Sequence, residues 1–137
     1  MTAREYLLQL RRLEHKIEWY SEESERIRAV LLPKGITYDK DKVQTSVSDK
    51  VIDDISKLID IDNIYMKTIR EYHEKRNLII SQIYGLTIQN HIDVLEKVYL
   101  SDKPLEICAD EMGYTYDRVR HIHIEALKAF EELFLDE

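Results

Sequence analysis

Two long apolar stripes at helical spacing limit what this chain can fold into. Tyr6, Leu10, Leu13, Ile17, Tyr20, Ser24, Ile27 and Leu31 stand alternately four and three residues apart, which aligns them along one seam of a helix broken only by Ser24. Val51, Ile55, Leu58, Asp62, Tyr65, Ile69, Tyr72, Arg76, Ile79 and Ile83 follow the same rule, and Ile52, Ile59, Met66 and Ile80 widen that second stripe. The spacing predicts helices over about 3–32 and 49–84. Asp62 and Arg76 interrupt the second seam, either setting register or reaching past the edge of the contact. Only three Gly and two Pro occur in 137 residues, so few positions can stop a helix. Pro33 and Gly35 end the first one, PKGITYDKDKVQTSVSD reads as a polar connection, and Ser48 or Asp49 caps the second. Two amphipathic helices joined by one connection bury their stripes most simply as an antiparallel hairpin. The width of the second stripe calls for a further partner, either the C-terminal helices or a second copy of the chain.

Beyond Gly85 the pattern shortens. Thr87 begins a helix with Ile88, Ile92, Leu95 and Tyr99 facing inward, and Ser101, Asp102, Lys103 and Pro104 turn the chain. Leu105, Cys108, Ala109 and Met112 then fall at i, i+3, i+4 and i+7 on one helix face. Gly113 supplies a residue free to take positive φ, and Thr115 offers a hydroxyl cap to a last helix carrying Val119, Ile122, Ala126 and Leu127 inward. Ala109 is small where the two axes meet. Helix, three-residue turn and helix therefore read as a helix-turn-helix. The expected class is all-α: a long antiparallel helical hairpin over 1–85, then a three-helix unit over 86–137.

Charge sets the terms for any partner. The chain carries a formal −7; residues 1–85 balance at fifteen basic and fifteen acidic, and residues 86–137 hold five basic against twelve acidic. A nucleic-acid reading must therefore rest on local sign. Arg118, Arg120, His121 and His123 cluster in the first turns of the last helix, with Glu131, Glu132, Asp136 and Glu137 beyond them. Few cations are available to displace counterions, so binding to DNA by this chain alone should be weak and modestly salt-dependent.

Other chemistries find little support. His121 and His123 are two apart on a helix and point about 200° from one another, unlike an i, i+4 metal pair. His15, His73 and His91 are scattered, and no glycine-rich phosphate loop, CxxC or catalytic triad is recognisable. The single Cys108 lies on an inward face and reads as packing, as does Trp19. The expectation is a non-enzymatic protein without metal or cofactor. No apolar run is long enough to span a bilayer, and MTAREYLLQL lacks the apolar core of a signal peptide, so the expected compartment is the cytoplasm.

The segment PLEICADEMGYTYDRVRHIHIEALKAF resembles region 4 of the sigma-70 family, in which a leucine-led helix, a glycine turn and an RVRQI-like run precede an alanine-leucine pair. With a helical hairpin in front, opened by AREYLLQLRRLEHKI, the chain looks like the small phage and prophage transcription regulators of the ArpU and RinA type. Ile107 stands where a glutamate is usual, Val98 where an arginine is, and His121 where sigma factors commonly carry glutamine. The resemblance implies that Tyr116, Asp117, Arg120 and His121 face the major groove, with Thr115 and Arg118 nearer the phosphates. Helix geometry agrees independently: Val119, Ile122 and Ala126 mark a buried side, so Tyr116, Asp117, Arg120, His121 and Glu125 lie toward or beside the opposite one. Arg120 suits a bidentate contact to guanine and Asp117 an acceptor contact to cytosine N4.

These readings converge on a DNA-binding regulator of late genes acting with host RNA polymerase, with a homodimer through the hairpin and double-stranded DNA as ligand. Two other readings stand beside it. A packaging factor of the terminase small-subunit kind also joins a helix-turn-helix to an oligomerising helical part, and a protein-binding helical adaptor would carry the corner without touching DNA. Two titrating imidazoles, His121 and His123, imply that DNA affinity rises as pH falls from about 7.5 to 6.

Overall fold

Both stripes form helices. The structure, a computed structural model, describes residues 1–31 and 49–136; the polar connection and the Ser48 cap fall outside the described residues. These are all-α, with no strand among them. Helices α1 (Ala3–Leu7), α2 (Gln9–Leu31), α3 (Asp49–Tyr84), α4 (Gln89–Leu95), α5 (Leu105–Met112) and α6 (Tyr116–Phe130) follow in order. The helix expected over about 3–32 thus appears as two pieces around Leu8. Helical backbone bonds cross the junction, Leu8 N–H to Arg4 C=O at 2.9 Å and Arg12 N–H to Leu8 C=O at 3.3 Å. Thr2 caps the start, its hydroxyl accepting the Glu5 N–H.

The chain divides into two compact units, Met1–Arg12 with His73–Glu137, and Leu13–Tyr72. The position 85/86, expected to separate hairpin from corner, lies inside the first of these. Ile79, Ile83 and Leu86, on either side of that position, are buried, so the last turns of α3 contribute core residues to that unit.

Within Leu13–Tyr72, the two helical segments run antiparallel. Tyr72 donates its hydroxyl to Glu14 at 2.8 Å, while Ser24 donates to Asp62 at 2.7 Å and Arg28 pairs with the other Asp62 oxygen at 2.7 Å. Asp62 therefore pins register, the first of the two roles open to it. Ser24, the polar break in the first seam, is buried opposite it, so the two interruptions satisfy one another. Ile27 is buried and Leu13, Ile17, Tyr20 and Leu31 are half-buried. Trp19 is exposed and meets Tyr20 edge-on at 5.2 Å. Of the residues that widen the second stripe, Ile52, Ile59 and Met66 remain exposed and Ile80 is half-buried, and Ile55 of the seam is exposed as well.

The other unit holds the larger core. Leu7, Leu10, Ile79, Ile83, Leu95 and Phe130 are fully buried; Phe130 lies 5.8 Å from the Tyr6 ring and 4.9 Å from Phe134. Tyr6 also donates its hydroxyl to Gln82 at 2.8 Å. Gly85 fits closely here, since a Cβ added to it would stand 3.2 Å from the Phe134 ring. A second cluster, Val94, Cys108, Ala109, Val119 and Ile122, joins α4, α5 and α6, with Leu105 and Met112 against it. Burial pushes the Cys108 thiol up from its ordinary value, which suits packing and not nucleophilic work.

Two details depart from the sequence reading. Helix α4 starts at Gln89 after an extended Ile88, which is exposed rather than inward, and no side chain caps it. Both α4 and α6 end in a π-helical turn, Glu96–Leu100 and Glu131–Leu135. After the first, Asp102 takes φ +53°, a conformation Asp tolerates better than most side chains. Arg11 holds this bend, donating from Nε to the Asp102 carboxylate at 2.9 Å and from Nη2 to the Val98 carbonyl at 3.1 Å.

Candidate nucleic-acid interface

The corner between α5 and α6 is built by three residues. Gly113 ends α5 at φ +72°, ψ +28°, the left-handed cap that glycine takes without steric cost. The Tyr114 N–H then reaches back to the Ala109 carbonyl at 3.1 Å. Thr115 is extended, and its hydroxyl accepts the Arg118 N–H at 3.3 Å, so one otherwise unpaired amide at the start of α6 is satisfied. Val119, Ile122, Ala126 and Phe130 turn inward from α6 and are buried.

That inward arc decides what faces out. Asp117 and Arg120 have side chains 80% and 50% exposed, and Arg120 Nη2 stands 3.7 Å from Asp117, a loose pair with little hold on either group. His121 is exposed, with Nδ1 2.7 Å from the Asp117 carbonyl. Because a carbonyl only accepts, Nδ1 carries the proton and Nε2 is left for an outside partner. Tyr116 is 45% exposed at the first turn of the helix. Arg118, on the flank, lays its guanidinium 4.5 Å from the Tyr114 ring centroid, which steadies it without neutralising it. Thr115 is exposed, but its hydroxyl is engaged by the cap.

His123 sits elsewhere. Its ring stacks on Tyr99 at 5.7 Å, and Nε2 is 2.9 Å from the Tyr99 hydroxyl. Burial, helped by the positive charge of Arg4, holds its pKa below the usual imidazole value. It therefore does not belong to the exposed patch, and the pH dependence expected of two imidazoles loses one of them. The signal was present, since His123 is four residues from Val119 and three from Ala126, on the buried arc. Ile124 and Lys128 went unnoticed for the converse reason. They continue the i, i+4, i+7, i+11 line begun by Asp117 and His121, and Ile124 is 55% exposed there. Glu125, also outward, approaches the buried His91 at 3.7 Å.

This face offers a bidentate cationic donor, an imidazole nitrogen, a carboxylate acceptor and an apolar contact on one helix side, which are the groups that read base edges in a major groove. Among the described residues no cluster of three or more His, Cys, Asp or Glu is placed to hold a metal, and no helix is long and apolar enough to cross a membrane. No family model, no curated protein and no solved structure matches the chain.

Proposed function

We propose that the chain is a phage-type, sigma-like DNA-binding transcription regulator that works beside host RNA polymerase to control late genes. The observation that carries this reading is the outward presentation of Asp117, Arg120 and His121 from a helix whose start is fixed by the Gly113 turn and the Thr115 cap. In this reading α6 enters the major groove by its N-terminal half. Arg120 contacts guanine O6 and N7, Asp117 accepts from a cytosine amine, and Ile124 packs on a thymine methyl. Tyr116 and His121 tune base preference, while Arg118 and the Thr115 end of the helix lie toward phosphates. The resemblance of LEICADEMGYTYDRVRHIHIEAL to sigma region 4 supports the same placement and is the ground for a polymerase partner.

Oligomerisation supplies what the net charge withholds. With a formal −7, one chain gains little from counterion release, and two copies on one site double the cationic contacts. The exposed Ile52, Ile55, Ile59 and Met66 recur at helical spacing on α3 and form a stripe of the kind that pairs helices between subunits. Selection of bound sites from random DNA, followed by mapping of the enriched sequence, tests the proposal. Enrichment of a sequence found upstream of late genes supports it. Enrichment of a packaging-start sequence assigns the protein instead to the terminase small-subunit kind, and no enrichment at low salt leaves a protein-binding adaptor.

A further inference from the structure

Behind α6, on the side away from Arg120 and His121, the unit formed by Met1–Arg12 and His73–Glu137 has an open recess of about 450 Å³. Its wall comes from the start of the chain, the end of α4, the Asp102 bend and α6. The apolar part is Leu8, Val98, Pro104 and Leu105, and the polar part includes Arg4, Arg11, Tyr99 and His123. Such a volume lies within the range of small-molecule sites, which combine an apolar lining with a few convergent polar groups.

The charges around it do not cancel. Arg11 pairs with Asp102 at 2.9 Å, and Lys103 pairs with Glu111. Arg4 is exposed at the rim and has no carboxylate within ion-pair distance among the described residues. Its field reaches inward: burial pushes the Tyr99 hydroxyl up and the His123 imidazole down, and the Arg4 charge opposes the first shift and adds to the second. Of the Arg11 guanidinium, Nε and Nη2 are bound inside the protein and the remaining nitrogen has donors to spare.

We propose that this recess binds a small amphipathic organic acid, its carboxylate or phosphate held by Arg4 and Arg11 and its apolar part lying on Leu8, Val98 and Leu105. The Tyr99 hydroxyl and the His123 ring form the inner end of the site, so the ligand touches α6 from behind. The inference stands on this recess alone and does not depend on DNA binding. A guanidinium satisfies an anionic oxygen by charge-assisted hydrogen bonds, while the apolar wall selects against a bare ion.

The test is an NMR titration of the full chain, reading the His123 imidazole and Tyr99 ring signals, with benzoate, phenyl phosphate, inorganic phosphate and benzyl alcohol as probes. Benzoate or phenyl phosphate should shift both rings saturably, binding more tightly than inorganic phosphate and benzyl alcohol, and should raise the His123 pKa as the anion offsets Arg4. Arg4→Gln, at an exposed site, should weaken that binding by about tenfold or more and, without any probe, raise the His123 pKa. Absence of saturable shifts with either acid overturns the proposal. So does benzyl alcohol binding as tightly as benzoate, or a folded Arg4→Gln that binds as the parent does.

Discussion

Replacing Gly113 isolates the backbone contribution of the corner from everything packed around it. A Cβ placed on Gly113 would meet no atom within 4 Å, so Gly113→Ala creates no clash and its cost is the left-handed φ of +72° alone. That conformation costs an L-residue about 1–2 kcal/mol, and the loss of unfolded-state freedom returns about 0.4–1 kcal/mol. The net destabilisation should be about 1 kcal/mol, a shift of roughly 0.5 M in a urea midpoint at a slope near 2 kcal/mol/M. Gly113→Asn should lose less, because Asn tolerates the left-handed region. D-alanine at the same position gives the decisive contrast, since its mirror-image preference removes the strain and keeps the entropic gain. The single cysteine, Cys108, offers a ligation junction just upstream, so the D-residue can be installed without altering any other position. Urea unfolding followed by far-UV circular dichroism compares the four proteins. An L-alanine protein as stable as the glycine one, or a D-alanine protein destabilised as much as the L-alanine one, would refute left-handed strain at Gly113.

Other consequences follow from the same contacts. Phe130→Ala removes a fully buried ring that touches Tyr6 and Phe134 and should cost about 3–5 kcal/mol, measured by urea or thermal unfolding. His123 binds its proton less readily in the fold than in the unfolded chain, where its value is near 6.5. Its contribution to stability is therefore intact above that value and declines as pH falls through it, levelling off below the depressed folded value; His123→Gln should flatten this part of the profile between about pH 7.5 and 5.5. Asp62→Ala takes the acceptor from the buried Ser24 hydroxyl and the carboxylate from Arg28 and should cost about 1–3 kcal/mol, whereas Arg26→Ala, at an exposed site beside Glu23, should leave the midpoint unchanged.

Much of the architecture was legible because α3 is long and periodic. The seam from Val51 to Ile83 runs through nearly all of the 36-residue helix, and no local preference opposes it. The corner was legible for a different reason: Ala109, Gly113 and Thr115 each have a narrow conformational role, and together they admit one reading. What periodicity could not reveal were features set by tertiary contacts. The extended backbone at Ile88 and the π-helical turn before Ser101 depend on how α4 meets its neighbours. Arg11 ties down a bend 91 residues away, and no spacing rule connects them. At the candidate interface the choice of Asp117, Arg120 and His121 followed from avoiding the buried arc. His123 was misjudged because its charge type outweighed its position; residue identity suggested a surface cation, and angular position placed it beside Val119 and Phe130.

The account rests on α6 reading bases, and Arg120 is the residue whose loss measures this most directly. It is half exposed and only loosely paired, so Arg120→Ala should leave the fold and its unfolding midpoint as they are. On a DNA site selected with the parent protein, fluorescence anisotropy titrations against a panel of single base-pair changes give affinity and specificity together. The prediction is a loss of about 1–3 kcal/mol, roughly 5- to 150-fold, with discrimination relaxed at one G·C pair and retained elsewhere. An Arg120→Ala protein that binds the site as tightly as the parent, with the same preference at every position, would contradict the claim that this helix is the reading surface.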